Sequence, residues 1–362
     1  MLTLEKRPIP SKLWSYLTPL IALLLTMIAG GIMFWLLGKD PFAALRTIFL
    51  DPIFNEQFAS YARPQLLIKA GPLILIAVGL AIGFRAGVWN IGAEGQYIIG
   101  AICGAAVGLA FYPTESWIIF PLMVLAGMVG GVAWAMIPAL LKVKFNTNEI
   151  LVSLMLVYVA QEVLSKMALG PLKNPDGAGF PGSRNLQQYP SAHNAEIWAG
   201  TSIHWGIIIA FFAVVAGFVL MSRHKLGFAI RLMGESPRAA RFAGVTPSWI
   251  VVICLGIAGG AAGLAGLFEV SGPSGQISID FASGYGFTAI IVAFLGRLHP
   301  IGILAAGLLM GVTYIGGELA QFMIGLPSAA IQAFQGMLLF FLLGSEILIN
   351  YRVRWSSAAK EA

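Results

Sequence analysis

Apolar residues in this chain come in runs of around twenty, separated by short polar interruptions, and a run of that length crosses a bilayer as a helix. Spans are predicted over 17–37, 66–84, 97–112, 117–141, 149–169, 203–221, 249–268, 300–322 and 327–349. A further run, Phe287 to Leu295, is too short to cross alone and reads as a half-length helix. The expected fold class is all-α: a polytopic membrane protein of about ten transmembrane segments, forming a single transmembrane domain over 1–362.

Two interruptions are unusually rich in glycine. The stretch Gly83 to Gln96, GFRAGVWNIGAEGQ, follows the second span, and 271–286, SGPSGQISIDFASGYG, follows the seventh. Irregular polar backbone survives at membrane depth only where protein or a water-filled cavity surrounds it. With ten segments, spans 1–5 and 6–10 have opposite orientations, and each half breaks after its second span. Breaks at matching places in two halves point to a transport pathway, so an inverted 5+5 repeat is expected. Glycines also recur at four-residue spacing, as in Gly100, Gly104 and Gly108, Gly127 with Gly131, Gly256 with Gly260, and Gly259 with Gly263. Such ladders let helix backbones approach closely, and close packing is the preferred reading over a path lining.

Composition removes the soluble alternatives. Of 362 residues, 58% are hydrophobic and 10% charged, against roughly a quarter charged in soluble domains. The net charge of +6 is explained by topology rather than by nucleic acid. With both termini in the cytoplasm, 15 of the 22 lysines and arginines fall inside and 7 outside, as the positive-inside rule requires. The first apolar run is longer than a signal peptide's and is read as an uncleaved span. Segment 38–65 then lies outside as a partly amphipathic surface helix. Segment 170–202 is an irregular outer loop, and 222–248 is a cytoplasmic loop holding five of the inside cations.

Residues for catalysis are missing from the pattern. His193, His204, His224 and His299 fall in loops or at span ends and read as solvated or interfacial. Cys103 and Cys254 sit within spans, where a thiol packs as a small apolar group. No G-x-x-x-x-G-K-[ST] loop exists to cradle nucleotide phosphates. The spans carry few carboxylates: Glu162, Glu318 and Glu346 lie near span ends, and Glu149 suits the start of its helix. An ion-coupled transporter or channel, the alternative from another class, would need more intramembrane charge than this. The cytoplasmic stretch GFAIRLMGESPRAARFAGV (227–245) reads differently. A short helix with Ala229, Leu232 and Met233 on one face beside Arg231 breaks at Gly234, and a second starts at Pro237 behind the N-cap Ser236. Helix, break and helix together suggest a docking element for a soluble subunit.

Taken with GFTAIIVAFLGRLHPIG (286–302) and the form FRAGVWNIGAEGQ (84–96), this docking stretch resembles the membrane subunits of bacterial ABC importers. The likeness is to the branch serving branched-chain amino acids, simple sugars and nucleosides, and most to its nucleoside permeases. That resemblance implies a non-enzymatic permease of the bacterial inner membrane without a cofactor of its own. ATP would be hydrolysed on a separate ABC ATPase subunit. A second permease would complete a heterodimer, and an extracytoplasmic substrate-binding lipoprotein would deliver a nucleoside or, as runner-up, a simple sugar.

Three groups of residues follow from the combined reading. Arg231, Gly234, Glu235, Ser236, Pro237, Arg238 and Arg241 form the ATPase-coupling segment. Arg85, Asn90, Glu94 and Gln96 form an inner gate or hinge, with Glu94 holding the turn to a neighbouring helix or pairing with Arg85. Gln276, Phe281, Ser283, Tyr285 and Phe287, near the outer break, offer aromatic faces and hydrogen-bonding groups to a nucleoside on the substrate path.

Overall fold

The structure, a computed structural model, describes residues 2–7, 11–198 and 200–355. Strand β1 (Leu2–Lys6) precedes α1 (Lys12–Leu36), α2 (Pro41–Phe49), α3 (Asp51–Phe54), α4 (Glu56–Arg85), α5 (Ala93–Ala110), α6 (Ile119–Phe145) and α7 (Glu149–Leu169). A long loop with a short hairpin, β2 (Glu196–Trp198) and β3 (Ile203–His204), leads to α8 (Trp205–Arg223), α9 (Lys225–Glu235) and α10 (Pro237–Phe242). Then come α11 (Pro247–Ser271), α12 (Tyr285–Leu295), α13 (Pro300–Ile324), α14 (Ser328–Asn350) and β4 (Tyr351–Trp355). Among the described residues nine helices are long and apolar enough to cross a membrane, and α12 is a shorter apolar tenth. The chain is thus an all-α polytopic membrane protein, with two small two-stranded sheets that the apolar pattern does not predict.

Local chemistry explains several helix starts. The Ser11 hydroxyl accepts from the Trp14 N–H at the start of α1, which begins five residues before the predicted span. Asp40 caps α2 ahead of Pro41, and Asn148 caps α7. Glu149 in the first turn of α7 also meets Lys142 of α6 at 3.0 Å, so it closes the α6–α7 corner as well as suiting the helix dipole. The predicted surface helix over 38–65 is divided: α2 and α3 account for its first part, and the rest is the start of α4. That helix runs 30 residues through Pro64 and Pro72, about 45 Å at 1.5 Å per residue. The irregular loop 170–202 contains one short 3₁₀ turn, Leu186–Gln188, besides its hairpin.

The chain divides into two compact units, one of Met1–Ala59 with Val312–Ala362 and the other of Ser60–Gly311. In the first, β1 pairs antiparallel with β4, Leu2 opposite Trp355. This brings both described ends together. Its core holds Phe34, Ala44, Ile48, Leu326 and Phe334, with Phe34 and Phe334 stacked at 5.9 Å.

The second unit is built on glycine. Helices α5, α6 and α11 meet where Gly100 abuts Gly263, and where Gly131 abuts Gly259 and Gly263. At Gly263 an added Cβ would land on the Gly127 carbonyl oxygen. Lipid supplies no hydrophobic drive between helices, so their association rests on van der Waals contact, which these glycines bring to backbone range. The four-residue ladders are therefore packing faces. Gly263→Val should abolish the monodisperse detergent-extracted protein. Gly336→Ala in α14, where nothing lies within 4 Å of the added methyl, should leave the melting temperature unchanged or higher.

Candidate functional site

The Gly83–Gln96 stretch begins as a helix C-terminus and ends as a helix N-terminus. At the end of α4 the Val88 N–H reaches back to the Gly83 carbonyl at 2.9 Å, and the Gly87 N–H to that of Phe84 at 3.1 Å. Gly87 has φ +73°, the left-handed residue that this capping arrangement uses. Residues 88–92 then run without regular structure to α5. Asn90 and Gln96, both buried, form a reciprocal amide pair at 2.8 and 3.1 Å, and the Asn90 carbonyl oxygen also accepts from the Gly92 N–H at 3.0 Å. The Ile91 N–H donates to the Ser153 hydroxyl of α7 at 3.2 Å. Every polar side chain of the break except that of Arg85 thus serves the break or a neighbouring helix.

Glu94 reaches furthest. Its side chain is 1% exposed, and its two oxygens accept from the Gly284 N–H at 2.9 Å and the Gly286 N–H at 2.6 Å. Those groups open α12. A helix N-terminus presents N–H groups without intrahelical partners and a partial positive charge. Glu94, in the first turn of α5, answers both at the start of α12. One turn on, Tyr97 stacks on Phe281 at 5.2 Å and meets Tyr285 edge-on at 5.9 Å. The sequence separates the two breaks by the thickness of the membrane; the structure joins the end of one to the end of the other. Phe281 and Tyr285 are buried in this junction, whereas Gln276, Ser283 and Phe287 are exposed.

The docking stretch sits on the first part of the same break. Ile230 and Met233 of α9 and Ala240 of α10 share an apolar cluster with Ile82, Ala86 and Val88. A Cβ at Gly234 would fall on the Arg85 carbonyl oxygen, so the helix break is also a point of backbone contact. The Ser236 hydroxyl accepts from the Ala239 N–H at 3.3 Å and starts α10, as predicted. Arg231, Glu235, Pro237, Arg238 and Arg241 are exposed, while Arg85 is half-buried within electrostatic reach of Arg231. Ile230, a fully buried side chain of α9, is missing from the face predicted from Ala229, Leu232 and Met233.

The loop between β3 and α7 is stitched to the second break. Ser183 N–H donates to the Ile277 carbonyl at 2.9 Å and accepts at its hydroxyl from the Ile277 N–H at 3.0 Å. The Asn194 N–H donates to the Ser271 carbonyl at 2.9 Å. His204, predicted to be solvated or interfacial, is buried at 3% exposure. Its Nδ1 accepts from the Gly206 N–H at 3.1 Å and faces the Asn194 side-chain amide at 3.0 Å, which places the ring proton on Nε2. Burial, with the neighbouring His193, lowers its pKa from 6.5 to about 4. The α11 carboxylate Glu269 also went unseen, because the predicted span stopped at 268 and the helix continues to Ser271. Among the described residues no group of three potential ligands could hold a metal ion.

Two outcomes follow. In Glu94→Gln the amide nitrogen meets a backbone N–H in place of an acceptor. Loss of a charged hydrogen bond, about 1.5–3 kcal/mol, should appear as a lower melting temperature by intrinsic tryptophan fluorescence. For His204, the unfolded chain takes up a proton near pH 6.5 while the folded chain does not until about 4. Stability should therefore fall as pH drops from 6.5 toward 4, and fall less steeply in His204→Gln.

Comparison with known proteins gives this geometry a family. Residues 64–343 match the family model described as the permease component of branched-chain amino acid transport systems. The chain is 34% identical to the glucose ABC transporter permease protein TsgB13 of Haloferax volcanii, covering 96% of this chain and 92% of that one. It is 29% identical to the guanosine ABC transporter permease protein NupP of Bacillus subtilis, covering 91% and 93%. Identity to the nucleoside ABC transporter permease protein NupB of Lactococcus lactis is 28%, covering 90% of each. The chain belongs to the branched-chain amino acid transport permease family and is a multi-pass, non-catalytic ABC importer permease of its sugar and nucleoside branch.

Proposed function

We propose that the chain forms part of the path by which an ATP-driven importer carries a sugar-containing solute, a nucleoside or a free sugar, across the cytoplasmic membrane. Both termini and α9–α10 face the cytoplasm in this reading. The form of the 84–96 motif favours a nucleoside, and the 34% identity to a glucose permease favours a free sugar. The two cargoes share a ring bearing hydroxyls.

As an ABC permease the chain works with an ATPase subunit. Arg231, Gly234, Glu235, Ser236, Pro237, Arg238 and Arg241 form its coupling segment in this reading. The observation that carries the mechanism is continuous packing from that segment to the junction of the breaks. Gly234 rests on the α4 end, Ile230 and Met233 pack with Ala86 and Val88, and the same strand of chain leads to Asn90, Gln96 and Glu94. A displacement of α9–α10 by the ATPase would move this segment as one piece and bear on the start of α12. Arg85, Asn90, Glu94 and Gln96 then act as the inner hinge, with Phe281 and Tyr285 as its apolar bearing. Gln276, Ser283 and Phe287 are the members of the proposed substrate path left exposed. The helix–break–helix order of α4–α5 and α11–α12 supports an inverted 5+5 repeat. A second permease and a substrate-binding lipoprotein complete the system.

Reconstitution with the ATPase, second permease and lipoprotein should give ATP-dependent uptake of labelled guanosine or glucose. Uptake by this chain alone without ATP would overturn the proposal. Reversing the exposed charges in Arg238→Glu/Arg241→Glu should reduce co-purification of the ATPase. Glu94→Gln should lose substrate-stimulated ATPase in protein that still assembles; full stimulation would remove Glu94 from the coupling route.

A further inference from the structure

Glu269 is a buried carboxylate that neither the α12 junction nor a helix cap employs. It sits in the last turn of α11 at 7% exposure, and its Oε2 is buried without a hydrogen-bond partner. Lys69 of α4, which is half-buried, is the opposite charge that acts on it. The helices' antiparallel register explains the pairing. Cys254 lies against the Ile82 carbonyl and Gly79 against Ala258 and Ala261, and the same register continued along α4 sets Lys69 level with Glu269. At 1.5 Å per residue this level is about 24 Å along α4 from Arg85 and the α9 seat. One turn before Glu269, Gly266 rests on the Tyr97 carbonyl, so the pair adjoins the aromatic junction of Tyr97, Phe281 and Tyr285.

A charge pair inside spans is expensive, and one that only ties two helices is often replaced by apolar residues without loss. Here the carboxylate also keeps acceptor capacity that the protein leaves unused, the mark of a substrate path rather than a strut. Lys69 already balances the charge, so a cation would gain little from the site. A neutral polyol fits both halves, because each hydroxyl both donates and accepts.

We infer that Lys69 and Glu269 form a binding site for ring hydroxyls of the cargo, Glu269 accepting from a hydroxyl and Lys69 donating to a neighbouring oxygen. This inference rests on the sugar-containing cargo proposed above. The site adjoins the aromatic bearing of the proposed hinge, and Gln276, Ser283 and Phe287 would be met separately.

The test is uptake of labelled glucose and guanosine by the complete reconstituted transporter, with assembly and melting temperature measured for each variant. Glu269→Gln and Lys69→Met should each assemble and slow uptake of the transported cargo about tenfold or more at low concentration. The double variant Lys69→Met/Glu269→Met, which removes both charges together, should still assemble and still fail to import. Wild-type uptake by that double variant, or by Glu269→Gln, would overturn the site and leave a structural pair. A loss of melting temperature in the double variant matching its loss of uptake would do the same. If the wild-type transporter hydrolyses ATP yet imports neither solute, the cargo reading itself falls, and the hydroxyl site with it.

Discussion

A backbone N–H in a dry interior must find an acceptor, and the arrangement at Glu94 follows from that constraint. Helix α12 is too short to span and starts after an irregular segment, so its first N–H groups must find acceptors outside their own helix. Glu94 supplies two oxygens from the first turn of another helix. Charge favours the arrangement twice, because a carboxylate suits the positive end of its own helix and of the one it receives. Glycine at 286 is a further condition, since a Cβ there would strike the Glu94 backbone. The two interruptions are thus halves of one junction.

Close packing around this junction limits how it can move. Gly100, Gly131, Gly259 and Gly263 hold α5, α6 and α11 at backbone contact, and interiors so tightly filled shift between discrete arrangements rather than deforming smoothly. The 83–92 segment is different in kind. It is held by side-chain hydrogen bonds from Asn90 and Ser153 and by the α9 cluster. Stiff helices are here joined through a segment with few backbone ladders, and α9 packs against that segment.

Polar groups divide by what they satisfy. Asn90, Gln96 and Glu94 are paired within the protein. Glu269 keeps a buried oxygen unused. His204 is intermediate: one ring nitrogen caps α8 and faces Asn194, while the other is buried without a partner. A ring held this way stays neutral, and only in that form does it tie Asn194 of the loop after α7 to the start of α8.

Much of the architecture was legible along the chain. Lipid imposes one rule on every span, about twenty apolar residues, so 149–169 matches α7 residue for residue and the short run before Leu295 is α12. Pro237 behind Ser236 announced α10 because capping is local chemistry. Other features depend on partners far away in sequence. The Glu94 oxygens could have met Arg85, a neighbouring helix or substrate, and only the fold puts Gly284 and Gly286 within reach. Glu269 looked like a residue beyond a span, because hydropathy averages over a window and cannot report the packing that extends α11 to Ser271. The sequence by itself determined that the chain lives in a membrane, how many helices it contributes and which family it resembles, since these follow from composition and local order. Which polar side chains are spent on structure and which keep unused hydrogen-bonding capacity was decided by the tertiary structure alone, because hydrogen-bond satisfaction depends on groups brought together across nearly two hundred residues.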